Sequence, residues 1–388
     1  MIRAVRILIV NRHIDQIAGG SETQCHEIAS GLAARGHDVV YAVCDPGPVQ
    51  REHPYEILPL YGRFRAAFRR ALHDVRPDVV YWRFNKRHLL RSVLDAHRAG
   101  ARFVFAVSHV NDLRPAAAKP FYGASLNAAR RAARALGRAR IAASSAVNHL
   151  GLRLVDGIVY QHPGQRPPGA NGKHAVIFNS ARRARRVDDG ADGNGPSREP
   201  AGTGAHVSAP PYVLWASNLK KSKNPEDFVR LASDLEHTGV EFRMAGRIQD
   251  PAYRSLLDAK DLPRNFRYVG HLPHDALDAL MSGCLLLVHT CDPEGFPNVF
   301  MEAWSCGKPV ASLRFDPGAM LATHGIGVCA HGDYRAFKAH VERLIADEAL
   351  RNEIGRRALA FVGEHCDRDR NVAKLEAFFG DVLAAPRR

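Results

Sequence analysis

Short apolar runs alternate with amphipathic stretches along the first half of the chain. The apolar runs have the length of β-strands and lie at residues 6–10, 37–44, 78–84, 102–108, 157–161 and 175–179. Helical patterns lie between the earlier runs, at residues 22–36, 64–75 and 86–98. Strands that alternate with helices predict an α/β domain, with a parallel sheet covered by helices on both faces.

The second half of the chain repeats this alternation. Further apolar runs lie at residues 212–217, 241–246, 266–270, 284–290, 308–312 and 326–330. A helix is predicted over residues 224–239, and a helical region from about residue 335 to 383 closes the chain. The pattern therefore predicts a second α/β sheet, and a length of 388 residues also favours two domains.

A polar segment separates the two halves. Residues 181–211 are rich in Gly, Ala, Arg and Asp and contain almost no large apolar side chain, which predicts a flexible linker or insertion. We therefore divide the chain into a first domain over 1–180, this linker, and a second domain over 212–366. Residues 367–388 are expected to form a helix that packs back toward the first domain.

Composition limits the partners and the compartment. The chain has 54 Lys and Arg against 40 Asp and Glu, a net charge of +14, which predicts a polyanionic partner: nucleic acid, anionic lipid or a phosphorylated substrate. Seven scattered cysteines without a CxxC pair argue against disulfides and zinc and favour a reducing cytoplasm. The apolar run at 5–10 is too short for a signal peptide, and no run approaches the roughly 18 residues of a membrane span.

Two basic segments suggest an anionic membrane surface as a partner. Residues 113–155 contain no acidic residue, and residues 63–70 combine four arginines with Phe64 and Phe68, one helical turn apart. Basic helices with aromatic anchors bind such surfaces. A general bias toward arginine explains the same runs without a membrane. Nucleic acid is not expected, because no helix-turn-helix, zinc-finger or RNP-type signature is present.

The stretch CDPEGFPNVFMEAWSCGKPV, residues 291–310, follows a predicted strand. Gly295 and Pro297 delay the next helix until about Asn298, so that Glu294 lies on the loop and Glu302 just beyond the first helical turn. The N–H groups of Phe296, Asn298 and Val299 are then free to bind an anion. Carboxylates on either side suit the hydroxyls of a sugar nucleotide. Alternatively, Glu302 complements the helix dipole and Glu294 is solvated.

This stretch resembles the E-x7-E signature of the retaining glycosyltransferases of family 4, which have the GT-B fold. The resemblance implies two Rossmann-like, doubly wound domains facing a central cleft. It implies that Glu294 contacts the donor sugar and that Glu302 binds the ribose. The connecting residues are then expected to bind the donor as well, namely Gly295, Phe296, Pro297, Asn298 and Val299.

The resemblance extends over most of the chain. Residues 18–43 are similar to the first loop and helix of the family, where Gly19 and Gly20 would let the backbone approach the donor phosphates. Residues 103–113 resemble the strand that ends in a histidine, which implies that His109 lies near the reaction centre. In residues 212–232, Lys223 matches the family's lysine, but Asn218 stands where an arginine is expected. Lys220 or Lys221 is a candidate substitute for that arginine.

The resemblance implies transfer of a sugar from a nucleoside diphosphate donor to a hydroxyl acceptor with retention of configuration. The expected catalytic residues are His109, Lys223 and Glu294, and no metal or other cofactor is expected. The acceptor is expected to be lipid-linked or a cell-surface glycan precursor, with the enzyme cytoplasmic and peripheral at the inner membrane face. A sugar-nucleotide epimerase and a non-catalytic nucleotide-sugar or nucleic-acid binding module remain alternatives. Donor sugar, base and acceptor are left open.

Overall fold

A computed structural model of the chain describes residues 3–16, 19–44, 47, 51–115, 141–167, 172–181, 210–259 and 261–386. The predicted linker lies outside the described residues except at its two ends, and so does the part of the basic segment between residues 116 and 140. In the described part of the chain, no helix combines the length and the apolar character that crossing a membrane requires.

The first domain is built on a parallel sheet. Within the described residues this sheet has seven strands in the order β3-β2-β1-β4-β5-β6-β7. Strand β1 pairs in parallel with both β2 and β4, so the strand order reverses there. The strands are β1 (Arg6–Asn11), β2 (Asp38–Val43), β3 (Glu56–Pro59), β4 (Val79–Trp82), β5 (Arg102–Ala106), β6 (Gly157–Tyr160) and β7 (Lys173–Val176).

The second domain repeats the design with six strands among the described residues, in the order β10-β9-β8-β11-β12-β13. The order reverses between β8 and β11, and ligands of such sheets bind outside the carboxyl ends of the strands at this point. The strands are β8 (Tyr212–Ala216), β9 (Glu241–Ala245), β10 (Phe266–Gly270), β11 (Leu287–His289), β12 (Val310–Ser312) and β13 (Gly327–Cys329). The two parallel sheets confirm the predicted α/β fold class.

Helices connect the strands in both domains. In the first domain they are Gly20–Ala34, Phe64–Val75 and Leu89–Arg98, with a further helical stretch over 141–149. In the second domain they are Pro225–Asp234, Ala252–Leu257, His274–Gly283, Asn298–Ser305, Met320–Thr323, Tyr334–Ala346 and Glu348–His365. The predicted helices over 86–98 and 224–239 each include a separate 3-10 turn, at Lys86–His88 and at Glu236–Thr238.

The last helix, Arg368–Ala384, returns to the first domain. Its apolar side chains share a buried cluster with Ile7 of β1 and Ile28 of the helix Gly20–Ala34. The chain leaves the first domain near Ala181 and returns to it after Cys366. These two segments lie side by side, since the Ala181 N–H donates to the carbonyl of Cys366 at 2.9 Å. The second domain is therefore connected to the first at both of its ends.

The aromatic residues of the basic stretch 63–70 belong to the core, which corrects their interpretation as membrane anchors. Phe68 is fully buried, with its ring 5.7 Å from that of Trp82, and Phe64 stacks on His88 at 4.5 Å. The apolar stripe of this helix packs on the sheet, which leaves the arginines on the outer face. One of them, Arg65, forms a hydrogen-bonded pair with Asp95.

Candidate active site in the interdomain cleft

A cleft of about 520 Å³ lies between the two domains, at the carboxyl ends of their strands. The first domain contributes residues that follow β1, β5, β6 and β7, among them Gly19, Gly20, Ser108, His109, Gln161 and Asn179. The second domain contributes residues that follow β8, β9 and β11, among them Asn218, Lys220, Lys223, Gly246, Glu294 and Glu302.

Most of the residues predicted for the site line this cleft. They are Gly19, Gly20, His109, Lys220, Lys223, Glu294, Gly295, Phe296, Pro297, Asn298, Val299 and Glu302. Lys221 is not among the lining residues, and its ammonium pairs with the Glu226 carboxylate at the start of the helix Pro225–Asp234. Of the two lysines considered in place of the expected arginine, only Lys220 therefore lies on the cleft wall.

A charged cluster forms around Glu294. Lys223 Nζ donates to both carboxylate oxygens, at 2.9 Å to Oε1 and 2.8 Å to Oε2. His289 Nε2 lies 3.2 Å from Oε1, and His289 Nδ1 lies 3.3 Å from the Ser312 hydroxyl. One carboxylate thus joins a lysine that follows β8 to the histidine that ends β11.

The cluster shifts the titration of its members. Burial opposes ionisation of Glu294, but the Lys223 ammonium and His289 outweigh it and hold its pKa well below the usual value. Burial also favours a neutral ring at His289, but contacts with Cys291 and the Glu294 carboxylate raise its pKa to about 9. Glu294 is therefore an ionised carboxylate at neutral pH, and it lies between two cations.

Local hydrogen bonds hold the two loops of the cluster together. The Trp215 indole donates to the Thr290 hydroxyl at 2.9 Å, and this hydroxyl donates to the Lys223 carbonyl at 2.7 Å. The Asn224 amide donates to the Thr290 carbonyl and to the Asp292 carboxylate. These contacts fix the turn that carries Lys223 against the loop that carries Glu294.

The helix Asn298–Ser305 begins at the predicted position and presents Glu302 to the cleft. The Asn298 side chain bridges the two domains. Its Oδ1 accepts from Asn179 Nδ2 at 2.9 Å, and its Nδ2 donates to the Gly20 carbonyl at 3.2 Å. A Cβ on Gly20 would lie 3.0 Å from Asn298 Nδ2, so the glycine allows this close approach.

Gly295 touches the opposite domain through its backbone. A Cβ at this position would lie 2.2 Å from the Ser108 carbonyl oxygen and 2.5 Å from Gln161 Oε1. The next residue, Phe296, is only 6% exposed and packs edge-on against Phe178. The loop after Glu294 is therefore part of the contact between the domains.

His109 follows β5 and caps a short 3-10 turn, Val110–Leu113. The ring nitrogen Nδ1 accepts from the Asn111 N–H at 3.1 Å, while the backbone N–H of His109 donates to the Asp112 carboxylate at 2.8 Å. Because Nδ1 accepts a hydrogen bond, the proton of the neutral ring lies on Nε2. The ring is exposed and lines the cleft.

Sequence reasoning missed His289 and Asn179. A polar residue at the end of the apolar run 284–290, five positions before Glu294, was the available signal for His289. Asn179 accepts from both Arg83 and Gln161 and donates to Asn298, but its position in the sequence resembles any turn after a strand.

Two side chains of the charged cluster and the neighbouring Cys291 carry atoms that can bind a metal. Potential ligand atoms of His289, Cys291 and Glu294 lie within 4.8 Å of one another. Both Glu294 oxygens already accept from Lys223, so a cation would have to displace that ammonium. The expectation that no metal is required stays a prediction.

Comparisons with known sequences identify the family of both domains. The profile of the family described as "Glycosyl transferases group 1" matches residues 203–361, and that of "Glycosyltransferase Family 4" matches residues 18–154.

The chain is 26% identical to the N-acetyl-alpha-D-glucosaminyl L-malate synthase of Bacillus anthracis over 174 residues, 44% of this chain and 45% of that protein. It is 31% identical to the 2-deoxystreptamine N-acetyl-D-glucosaminyltransferase of Streptomyces fradiae over 106 residues, 26% of this chain and 25% of that protein. The matches therefore span less than half the length of these curated relatives.

Solved structures share the whole architecture. Sucrose-phosphate synthase from Thermosynechococcus elongatus superposes with a TM-score of 0.71 at 16% identity, covering 98% of this chain and 99% of that one. The Anabaena protein HepE, solved in complex with UDP and glucose, superposes with a TM-score of 0.67 at 17% identity, covering 97% and 99%. These likenesses show the GT-B fold. With two family profiles that together span most of its length, this chain belongs to the group 1 glycosyltransferases, with an N-terminal domain of family 4.

Proposed function

We propose that this protein is a retaining glycosyltransferase that moves a sugar from a nucleoside diphosphate donor to a hydroxyl group of an acceptor. The observation that carries the proposal is the Lys223–Glu294–His289 cluster on the wall of the interdomain cleft. A carboxylate and ammonium groups at the carboxyl ends of strands suit a ligand that combines hydroxyls with phosphates.

Glu294 would act as a hydrogen-bond acceptor. Because Lys223 and His289 keep its pKa low, the carboxyl group carries no proton to donate at neutral pH. It can accept strong hydrogen bonds from hydroxyls of the donor sugar. This state differs from that of the general acid of a glycoside hydrolase, whose pKa is raised.

The diphosphate would lie between the basic turn and the helix Asn298–Ser305. Lys220 and Lys223 supply positive charge from one side, and the amides at the start of the helix supply donors from the other. Negative charge that develops on the departing diphosphate would be stabilised by these groups. Glu302 lines the same wall and is the residue that we propose for the ribose hydroxyls.

The acceptor would enter from the first domain, where His109 and Gln161 line the cleft. The bond between the sugar and the diphosphate breaks, and the acceptor oxygen forms a bond to the same carbon on the same face. The hydroxyl proton passes to the departing phosphate oxygen. His109 Nε2–H is the donor that we propose to orient the reacting sugar.

A screen of nucleoside diphosphate sugars by thermal shift tests the donor site. The two curated relatives described above are named for N-acetylglucosaminyl chemistry, and the HepE structure contains UDP and glucose. We therefore expect UDP-N-acetylglucosamine or UDP-glucose to raise the melting temperature most, by about 5 °C at one hundred times Kd. Inorganic phosphate at the same concentration serves as the control, and a screen with no stabilising nucleotide would contradict the proposal.

Product analysis then separates transfer from the alternatives. An epimerase would release an altered nucleotide sugar without any acceptor, and a binding module would release no product. A transferase should release nucleoside diphosphate in proportion to the glycosylated acceptor.

We further propose that the acceptor is lipid-linked and that the first domain docks on an anionic membrane, such as the inner leaflet. Support comes from the exposed arginines Arg63, Arg69 and Arg70 beside Tyr61, which is 63% exposed. Each cation near such a surface contributes about 1 kcal/mol. We expect the protein to float with liposomes that contain anionic lipid, and replacing the three arginines with glutamine should reduce its recovery. Equal recovery with neutral liposomes would contradict the docking.

A further inference from the structure

A second cluster of histidine and carboxylate side chains lies in the first domain. His13 and Asp15 belong to the loop after β1, and His53 lies just before β3. Their side chains are 0%, 3% and 5% exposed. Neither the fold nor the proposed transfer reaction requires two histidines around a buried carboxylate at this place.

We propose that His13, Asp15 and His53 form a binding site for a divalent transition-metal ion of the Zn²⁺ type. Two imidazoles and one carboxylate form a common ligand set for such ions, with the remaining position open for water. The site would be separate from the charged cluster around Glu294.

The spacing of the potential ligand atoms suits one ion. Asp15 Oδ2 lies 3.0 Å from His53 Nε2 and 3.7 Å from His13 Nδ1, and the three ligand atoms lie within 4.8 Å of one another. Tetrahedral zinc with bonds of about 2.0–2.1 Å places its ligand atoms about 3.3 Å apart. Small movements of side chains would therefore close the site around an ion.

Hydrogen bonds hold His13 in the tautomer that a metal requires. The Asp15 N–H donates to His13 Nδ1 at 3.3 Å, so this nitrogen is unprotonated and carries its lone pair. A metal ion would take the lone pair from this long hydrogen bond. The other ring nitrogen, Nε2, lies 3.0 Å from the Tyr55 hydroxyl, which is 2.7 Å from His26 Nδ1. Metal-binding histidines commonly donate their second N–H to such a partner, which orients the ring.

Asp15 provides an independent observation. The Asp15 side chain is almost fully buried, and its Oδ1 atom forms no hydrogen bond with the described protein atoms. A buried carboxylate oxygen without a partner is costly. A bound cation would compensate the carboxylate charge at this point. His53, which pairs with the other oxygen, Oδ2, would become a ligand of the same ion.

An ion at this site would connect the loop after β1 to the segment before β3. That loop leads to Gly19 and Gly20 on the cleft wall. Metal binding would therefore stabilise the first domain.

Titration of the metal-free full-length chain with Zn²⁺ by calorimetry tests the proposal. We expect one tight equivalent at this site and a rise in melting temperature of about 5 °C at one hundred times Kd. Asp15→Asn and His53→Gln should each raise the Kd for this Zn²⁺ ion at least tenfold. Cys291→Ser, which disrupts the other possible ligand group, and the exposed His73→Gln should retain it.

Co²⁺ provides a readout that does not depend on variants. A site made of His13, Asp15 and His53 should show tetrahedral d–d bands without a thiolate charge-transfer band, whereas the group that contains Cys291 should show that band. Absence of a tight Zn²⁺ equivalent would overturn the proposal. Unchanged binding in Asp15→Asn and His53→Gln, or a dominant thiolate band in the wild-type chain, would overturn it equally.

Discussion

Glu294→Gln should lower kcat by about 10²–10³-fold, the loss typical of removing one group that stabilises the transition state. Glutamine keeps the size of the side chain but lacks the charge that holds Lys223 and His289 in place. It would also replace one strong acceptor for the sugar hydroxyls with a neutral amide oxygen. Release of nucleoside diphosphate in the presence of acceptor measures the effect.

A matched control separates this effect from a general loss of charge. Glu226→Gln removes a carboxylate that pairs with Lys221 outside the cleft, so we expect turnover near that of the wild type. Wild-type turnover in Glu294→Gln would rule out the role proposed for this carboxylate. Equal losses in both variants would do so as well.

The same variant should change the dependence of stability on pH. In the wild type the pKa of His289 is raised from 6.5 to about 9, so its protonation stabilises the folded state below pH 6.5, and this contribution is lost as pH rises through about 9. Burial favours the neutral ring, and the Glu294 carboxylate is one of the groups that oppose it. In Glu294→Gln the loss of stability should therefore occur at lower pH, as measured by melting temperature between pH 6 and 10.

Gly295→Ala should reduce activity by about 10²-fold because it forces the two domains apart. The new Cβ would lie 2.2 Å from the Ser108 carbonyl oxygen, a backbone atom that cannot rotate away, and 2.5 Å from Gln161 Oε1. Relieving this overlap would shift Glu294 relative to His109 by about 1 Å, and displacements of that size cost about this much in rate. The free energy of unfolding should fall by only about 1–3 kcal/mol.

Gly363→Ala is the control for this substitution. Gly363 is exposed within the helix Glu348–His365. Apart from its chain neighbours and the backbone of its own helix, no atom lies within 4 Å of the position that a Cβ would occupy. Alanine should therefore leave activity unchanged and stabilise the helix by up to about 1 kcal/mol. If Gly295→Ala had the kcat and KM of the wild type, the close approach of Gly295 to Ser108 would not determine how the domains are positioned for activity.

Most strands and helices of both domains could be predicted, because the apolar and polar patterns that indicate them are local in the sequence. Apolar runs bounded by turns predicted most strands, and the helix Phe64–Val75 has the bounds that its pattern predicted. Strand β3, Glu56–Pro59, was missed because it lies at the sheet edge and is only half-buried, so its sequence lacks a continuous apolar run. The aromatic pair in residues 63–70 was misinterpreted because periodicity shows that two side chains share a face, and does not show what covers it.

The cleft motif was also readable from the chain, since Glu294, Glu302 and the helix start at Asn298 follow one another within nine residues. Lys221 shows the limit of this reasoning. Nothing in the order of three lysines distinguishes the one that pairs with Glu226 from those on the cleft wall.

The sequence by itself determined the α/β class, the alternation of strands and helices, and the family motif around Glu294, because each depends on residues close together in the chain. Only the tertiary structure decided which charges meet. It joined Lys223 and His289 to Glu294, set Asn298 against Gly20, and brought His53 to Asp15. These partners come from different strands and loops, and the side-chain protonation that governs the proposed chemistry depends on burial and on charges that only the folded chain brings within a few ångströms.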